Sequence, residues 1–193
     1  MFKLINDIKF PTEYDENFRL STFQLDNNYA LTIYKNINEN DTIPLRVHSE
    51  CKTGETFLSL RCDCKEQLDN MLKLINTLDK GMIIYLLQEG RGIGLINKIT
   101  AYSVQDKYNF DTFYANSELN LDIDSREYDI CNEILNYFKI KNVVLFTNNK
   151  SKFKTIKKKY SNMLRVPILS TINTYNCKYL YSKNNHSNYY KFK

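Results

Sequence analysis

The sequence predicts an α/β fold in one compact domain, a mixed sheet with helices on both faces. Three observations carry this. Met82 to Leu87 is an unbroken apolar run of the kind found in a strand covered on both sides. Leu68, Met71, Leu72, Ile75 and Leu78 recur at three- and four-residue steps, the period of an amphipathic helix. Strand-like and helix-like segments then alternate along the chain with no Gly- or Pro-rich linker between them. A chain of 193 residues suits one well-buried domain. We assign residues 1–172 to it and 173–193, rich in Asn, Lys and Tyr, to a C-terminal tail expected to fray.

In order, residues 1–29 give weak signals and lead into a strand at Tyr29 to Tyr34. Ile43 to His48 is a second strand that delivers Ser49, Glu50 and Cys51 at its end. The helix runs from about Cys64 to Leu78, with Gly81 as its stop. The strand Met82 to Leu87 opens onto Gln88-Glu89-Gly90-Arg91-Gly92-Ile93-Gly94 and a helix from Leu95 to about Gln105. A glycine-rich loop between strand and helix exposes backbone N–H groups to an anion. Its spacing is neither the dinucleotide fingerprint nor a Walker loop. Asp111 to Asn116 reads as a strand, Ile130 to Phe138 as a helix, and Asn142 to Thr147 as a short buried strand. A basic helix to Tyr160 and a short strand at Leu164 to Pro167 complete the pattern.

Composition narrows the function. Net charge is +5, from 27 Lys and Arg against 22 Asp and Glu, which suits an anionic ligand and is too weak to argue for nucleic acid. Five unevenly spaced cysteines make no disulfide framework, so a reducing compartment is expected. No apolar run approaches the ~20 residues that span a bilayer, and Met1 to Phe10 lacks a signal-peptide core. The expected location is the cytoplasm, with no membrane partner.

The chemistry centres on Arg46 to Gln67, which holds Cys51, Cys62, Cys64 and His48. Cys62 and Cys64 are too close for an easy mutual disulfide, yet both thiolates can reach one ion, with Cys51 as a third ligand. Three protein donors and an open fourth position mark a catalytic zinc site, where bound water has a pKa near neutrality. Two alternatives stand beside it: the thiols fill a core, or His48 closes the site as a fourth ligand.

Many stretches match one family in order: Arg46-Val-His-Ser-Glu-Cys51, Thr53-Gly54, Ser59-Leu-Arg-Cys-Asp-Cys64 with Gln67-Leu68, and Gln88-Glu-Gly-Arg-Gly-Ile-Gly-Leu95. Further on come Lys98, Ala101-Tyr102, Gln105-Asp106, Asp111-Thr112, Ala115-Asn116, Asp124-Ser-Arg126, Thr147-Asn-Asn149 and Arg165-Val-Pro167. The chain thus resembles GTP cyclohydrolase II over nearly its whole length. The resemblance implies hydrolytic opening of the guanine imidazole ring of GTP, with release of formate and pyrophosphate. The product is 2,5-diamino-6-(5-phosphoribosylamino)pyrimidin-4-one, at the start of riboflavin synthesis.

It also implies one zinc ion per chain on Cys51, Cys62 and Cys64, and Mg2+ with the triphosphate. By resemblance, Arg46, Val47, His48, Ser49, Glu50, Gln67, Glu89, Gly90, Arg91, Thr112, Thr147 and Lys152 contact GTP. Glu89 has the chemistry to accept from guanine N–H donors, and Arg91 and Lys152 to counter the triphosphate. Asp124 matches the proton acceptor, Arg126 the nucleophile on the α-phosphorus, and Tyr102 a tyrosine that assists ring opening. An arginine nucleophile is chemically demanding, so Arg126 stabilising charge while water attacks stands as the alternative. The family is commonly homodimeric. Lys65, Tyr114 and Asn120 depart from its pattern, as does one extra residue in the turn at Lys107 to Phe110.

Two rivals have sequence support. His48-x-Glu50 near cysteines resembles zinc nucleobase deaminases, but no Pro-Cys-x-x-Cys follows. A zinc-stabilised nucleotide- or RNA-binding module has only the net charge and the Lys150 to Lys159 run in its favour.

Overall fold

The computed structural model describes residues 1–160 and 163–191. The chain packs as two units. The first comprises Met1–His48, Leu68–Leu87 and Glu127–Ile168, and the second Ser49–Gln67, Gln88–Arg126 and Leu169–Lys193.

The first unit holds a seven-stranded sheet. Its strands are β1 (Phe2–Lys9), β2 (Arg19–Leu25), β3 (Asn28–Lys35), β4 (Thr42–Ser49), β5 (Gly81–Leu86), β6 (Asn142–Phe146) and β7 (Leu164–Val166), in the order β1-β2-β3-β5-β4-β6-β7. The sheet is mixed. β1, β2, β3 and β5 pair antiparallel, with Phe23 opposite Ala30 and Ile33 opposite Ile83. β4, β6 and β7 pair parallel, with Leu45 opposite Leu145.

The period of two in β5 explains its continuous apolar run. Met82, Ile84 and Leu86 enter one buried cluster, together with Ile130, Ile134 and Leu135 of α5 (Asp129–Tyr137) and Ile156 of α6 (Lys150–Lys157). Ile83 points the other way, into a cluster with Met71 and Ile75 of α2 (Cys64–Leu78) and with Phe18. A strand that buries both faces has no polar side to show, and the α/β expectation is borne out on this sheet.

Three local expectations need correction. Asp111 to Asn116 is not a strand: Thr112–Glu118 is helix α4. Thr112, Phe113 and Tyr114 favour strand by propensity, but Asp111 Oδ1 accepts from the N–H groups of Phe113 and Tyr114, both at 2.8 Å, and this cap decides the outcome. Residues 1–29 do not merely lead into a strand, since they contain β1 and β2. β1 is an edge strand with most side chains exposed, so its apolar alternation is faint, and the β2–β3 hairpin turns on Asp26, at φ 53°. The helix after the glycine loop, α3 (Leu95–Tyr108), runs past Gln105 and stops at Asn109 in the left-handed conformation.

In the second unit, α1 (Lys52–Glu55) is a single turn, and the segment after 172 contains α7 (Cys177–Asn185). The last two residues of the tail lie outside the described residues. Among the described residues no helix is long and apolar enough to cross a membrane.

Ile134, on α5, has no exposed surface. Truncation there loses transfer free energy and leaves a cavity. Ile134→Ala is expected to lower stability by about 2–5 kcal/mol, read as a fall in the urea unfolding midpoint.

Candidate functional site

Cys51 lies one residue beyond the end of β4, after Glu50, and directly precedes α1. Cys62 lies in the loop before α2, and Cys64 is the first residue of that helix. Their three Sγ atoms lie within 4.8 Å of one another, with Cys51 and Cys62 3.6 Å apart. Among the described residues these three form the group able to hold a metal ion. Gly54 is required by close approach: a Cβ there would sit 2.8 Å from Cys62 Sγ and 3.4 Å from Cys51 Sγ.

A buried ammonium stands against the thiols. Lys98, on the first turn of α3, donates to Cys51 Sγ at 3.1 Å, to Thr53 Oγ1 at 2.7 Å and to Glu89 Oε1 at 2.9 Å. The Cys51 thiol is held well below its ordinary range by hydrogen bonds with Cys62 and Cys64, against the effect of burial and with help from the Lys98 charge. The Cys62 thiol is pushed up to about 11, chiefly by its bond with Cys51. Burial alone would lower Lys98, but Cys51 and its other neighbours outweigh it and the amine stays protonated. Burial raises the Tyr102 phenol, against the pull of Lys98.

The glycine-rich loop forms a 3-10 turn, Glu89–Gly92, in which Gly90 and Arg91 both adopt left-handed backbone angles, φ 63° each. Glu89 is buried and accepts from Lys52 N at 2.6 Å, Gly90 N at 2.8 Å and Lys98 Nζ. Three of the roughly four acceptor positions of a carboxylate are thus used. Arg91 lays its guanidinium over the Phe113 ring, 4.3 Å from the centroid. Gly92, at φ 93°, lies so close to Ser125 that a Cβ would come within 3.1 Å of that residue's backbone. This contact brings up the segment bearing Asp124 and Arg126. Those two side chains form a two-pronged ion pair, Arg126 Nε donating to Asp124 Oδ1 at 2.7 Å and Nη2 to Oδ2. Burial works to raise the Asp124 carboxyl, but the Arg126 bonds prevail and hold it below the usual carboxylate range.

Of the residues singled out from sequence, Ser49, Glu50, Cys51, Cys62, Cys64, Glu89, Gly90, Arg91, Tyr102, Thr112 and Arg126 line one cleft of the second unit, with about 600 Å³ of open space. Two buried polar atoms of its lining, Ser49 Oγ and Gln105 Nε2, have no hydrogen-bond partner. Leaving such groups unpaired costs about 1–3 kcal/mol each. Gln67 is not in that lining, and its amide donates to Asp63 Oδ2 at 2.5 Å.

Asp124 is also outside that lining, on the second unit, and the remaining five, Arg46, Val47, His48, Thr147 and Lys152, belong to the first unit. Arg46 Nε donates to His48 Nδ1 at 3.0 Å, and the His48 ring stacks on Tyr85. Lys152 is buried in α6 and donates to Val47 O at 2.9 Å. Thr147 Oγ1 accepts from Asn149 N at 3.1 Å. Sequence reasoning gave Lys98 no role. Its position one turn after Gly94 was the available signal, since it places the side chain beside the loop that carries Glu89.

A family model described as GTP cyclohydrolase II matches residues 3–161. Curated relatives include GTP cyclohydrolase-2 of Acinetobacter baumannii (strain SDF), 45% identical over 180 residues, covering 91% of this chain and 89% of that protein. GTP cyclohydrolase-2 of Campylobacter hominis is 42% identical over 183 residues, covering 95% and 92%. The crystal structure of a two-domain 3,4-dihydroxy-2-butanone 4-phosphate synthase from A. baumannii aligns at TM-score 0.46 and 11% identity, over 86% of this chain and 40% of that one, too slight a likeness to bear on the argument. With a family match across most of its length and relatives above 40% identity, the chain belongs to the GTP cyclohydrolase II family of enzymes.

Proposed function

We propose that this protein hydrolyses GTP by opening the guanine imidazole ring, releasing formate and pyrophosphate and leaving the diaminopyrimidinone ribosyl monophosphate of the riboflavin pathway. Its chief support is the presence in one cleft of three clustered thiols and of Arg126, paired to Asp124. The donor set fits zinc. Sulfurs bound at about 2.3 Å in a tetrahedron stand about 3.8 Å apart, and the Cys51–Cys62 separation is 3.6 Å. Zinc held there would supply Lewis-acid activation of water near neutral pH. Mg2+ accompanies the triphosphate, and the protein acts as a cytoplasmic homodimer.

The chain's own side chains set the rest. Lys98 holds Cys51 as a thiolate, and Glu89 holds both Lys98 and the turn of the glycine loop. Tyr102, protonated throughout the neutral range, is a hydrogen-bond donor for ring opening. Arg91 and Arg126 offer planar forks to phosphate oxygens. The contacts carried over to Arg46, Val47, His48, Thr147, Gln67 and Lys152 form part of the same proposal.

The Asp124–Arg126 pair constrains what Arg126 does. A guanidinium, protonated at any physiological pH, gives its proton only far uphill to a carboxyl that is itself held below the usual carboxylate range. At rest the fork is set to spread charge from the α-phosphate, and covalent attack by Arg126 requires substrate to part the pair first.

Purified protein incubated with GTP, and assayed separately for formate and pyrophosphate, tests the whole proposal. Ammonia in place of formate would indicate a deaminase. Cys62→Ser and Cys64→Ser are each expected to reduce formate to background with loss of bound zinc. Gly54→Ala, by crowding Cys62 and Cys51, should lower zinc content severalfold while leaving the circular dichroism spectrum unchanged. Arg126→Ala is expected to slow pyrophosphate release by ~10²–10³-fold, and normal release would remove Arg126 from the mechanism.

A further inference from the structure

The family match ends at residue 161, and the segment that follows β7 carries contacts that the mechanism above does not use. Asp63 is the residue between Cys62 and Cys64, and its side chain is only 2% exposed. A carboxylate so buried needs compensation, because removing an ion from water without a partner costs several kcal/mol. Besides the Gln67 amide, at 2.5 Å from Oδ2, the compensation comes from the far end of the chain. Lys183 of α7, 11% exposed, places Nζ 2.9 Å from Asp63 Oδ1, and Ser170 Oγ donates to Oδ2 at 3.0 Å. Next to them Thr171 donates through N and Oγ1 to the Glu66 carboxylate, at 2.8 Å and 2.7 Å. The turn that spaces two thiols is therefore gripped by residues more than a hundred positions away.

The same segment reaches the other half of the cleft. Tyr189, buried, accepts through its hydroxyl from Arg126 Nη2 at 3.3 Å. His186 stacks on Phe113 at 3.9 Å, on the ring that also carries the Arg91 guanidinium. Tyr179 of α7 lines the cleft, and Lys183 lies over its ring at 4.2 Å.

We propose that residues 169–191 are a positioning element of the site, with Lys183 fixing the Cys62–Cys64 turn through Asp63 and Tyr189 orienting Arg126. The Lys183 arm rests on the reading of the three cysteines as metal ligands. Groups that orient the ligands of a metal change its affinity by about 10–100-fold when removed, so the effect is visible without turnover.

The test uses the full chain loaded with cobalt(II), whose thiolate charge-transfer band reports the geometry of the sulfurs. In Lys183→Met the band is expected to shift or weaken, and release of cobalt to a chelator to quicken by about 10–100-fold. Lys183→Arg should restore release to near the wild-type rate. If Lys183→Met does not fold, Lys183→Met/Asp63→Asn removes both charges together and should still release cobalt faster, because the tether is gone. A wild-type band and release rate in whichever of these two variants folds would overturn the Lys183 arm. Tyr189→Phe should leave the cobalt spectrum unchanged and lower kcat for pyrophosphate release about threefold to tenfold at constant KM; an unchanged kcat would overturn the Tyr189 arm. If the GTP reading itself fails, wild-type protein yields no formate while the cobalt results for Lys183 still stand.

Discussion

A single ammonium, that of Lys98, holds the site together. Its three N–H donors meet three acceptors, Cys51 Sγ, Thr53 Oγ1 and Glu89 Oε1, so the charge is satisfied although the side chain is almost out of solvent. These contacts tie α1, the glycine loop and α3 to one point. They also balance charge. With a divalent cation bound, three thiolates would carry one excess negative charge, and the Lys98 ammonium, 3.1 Å from Cys51, would offset it. An isolated thiolate, carboxylate or ammonium in this surrounding would be costly, while the three together are mutually compensated.

The backbone around that point is held in an unusual shape. Arg91 adopts a left-handed conformation that a residue with a Cβ avoids, a strain of order 1–3 kcal/mol. The surroundings over-determine it. Gly94 N donates to Glu89 O across the turn, and Ser125 N donates to Arg91 O, both at 3.0 Å. The result aims the Arg91 side chain across Phe113 and leaves Gly92 in contact with the segment that bears Asp124 and Arg126. Strain in a loop fixed this tightly fits a part whose work is to hold charged groups in place.

How far the sequence could be read followed from the range of the forces involved. α2 and β5 were legible because their burial repeats with a helix or strand period over neighbouring residues. The cysteine cluster was legible because two of its members are separated by a single residue in sequence and metal chemistry limits what such thiols do. β1 was not, because an edge strand shows most of its side chains to solvent. α4 was misread because Thr112, Phe113 and Tyr114 outweighed a cap made by one aspartate, whose effect propensity does not register. The Lys98 and Lys183 contacts span 47 and 120 residues, and no local pattern announces a partner at that distance. Asp63 stands between two cysteines in the sequence, and only the fold shows that it is buried and paired.

The two packing units interleave along the chain, three segments each, so the polypeptide passes from one to the other five times, after residues 48, 67, 87, 126 and 168. Neither unit is a continuous stretch of sequence. No single cut releases either one intact, and a contiguous exchange with a related chain that crosses any of these five boundaries swaps pieces of both. Neither the sheet nor the cleft can therefore be transferred as one uninterrupted stretch of this chain.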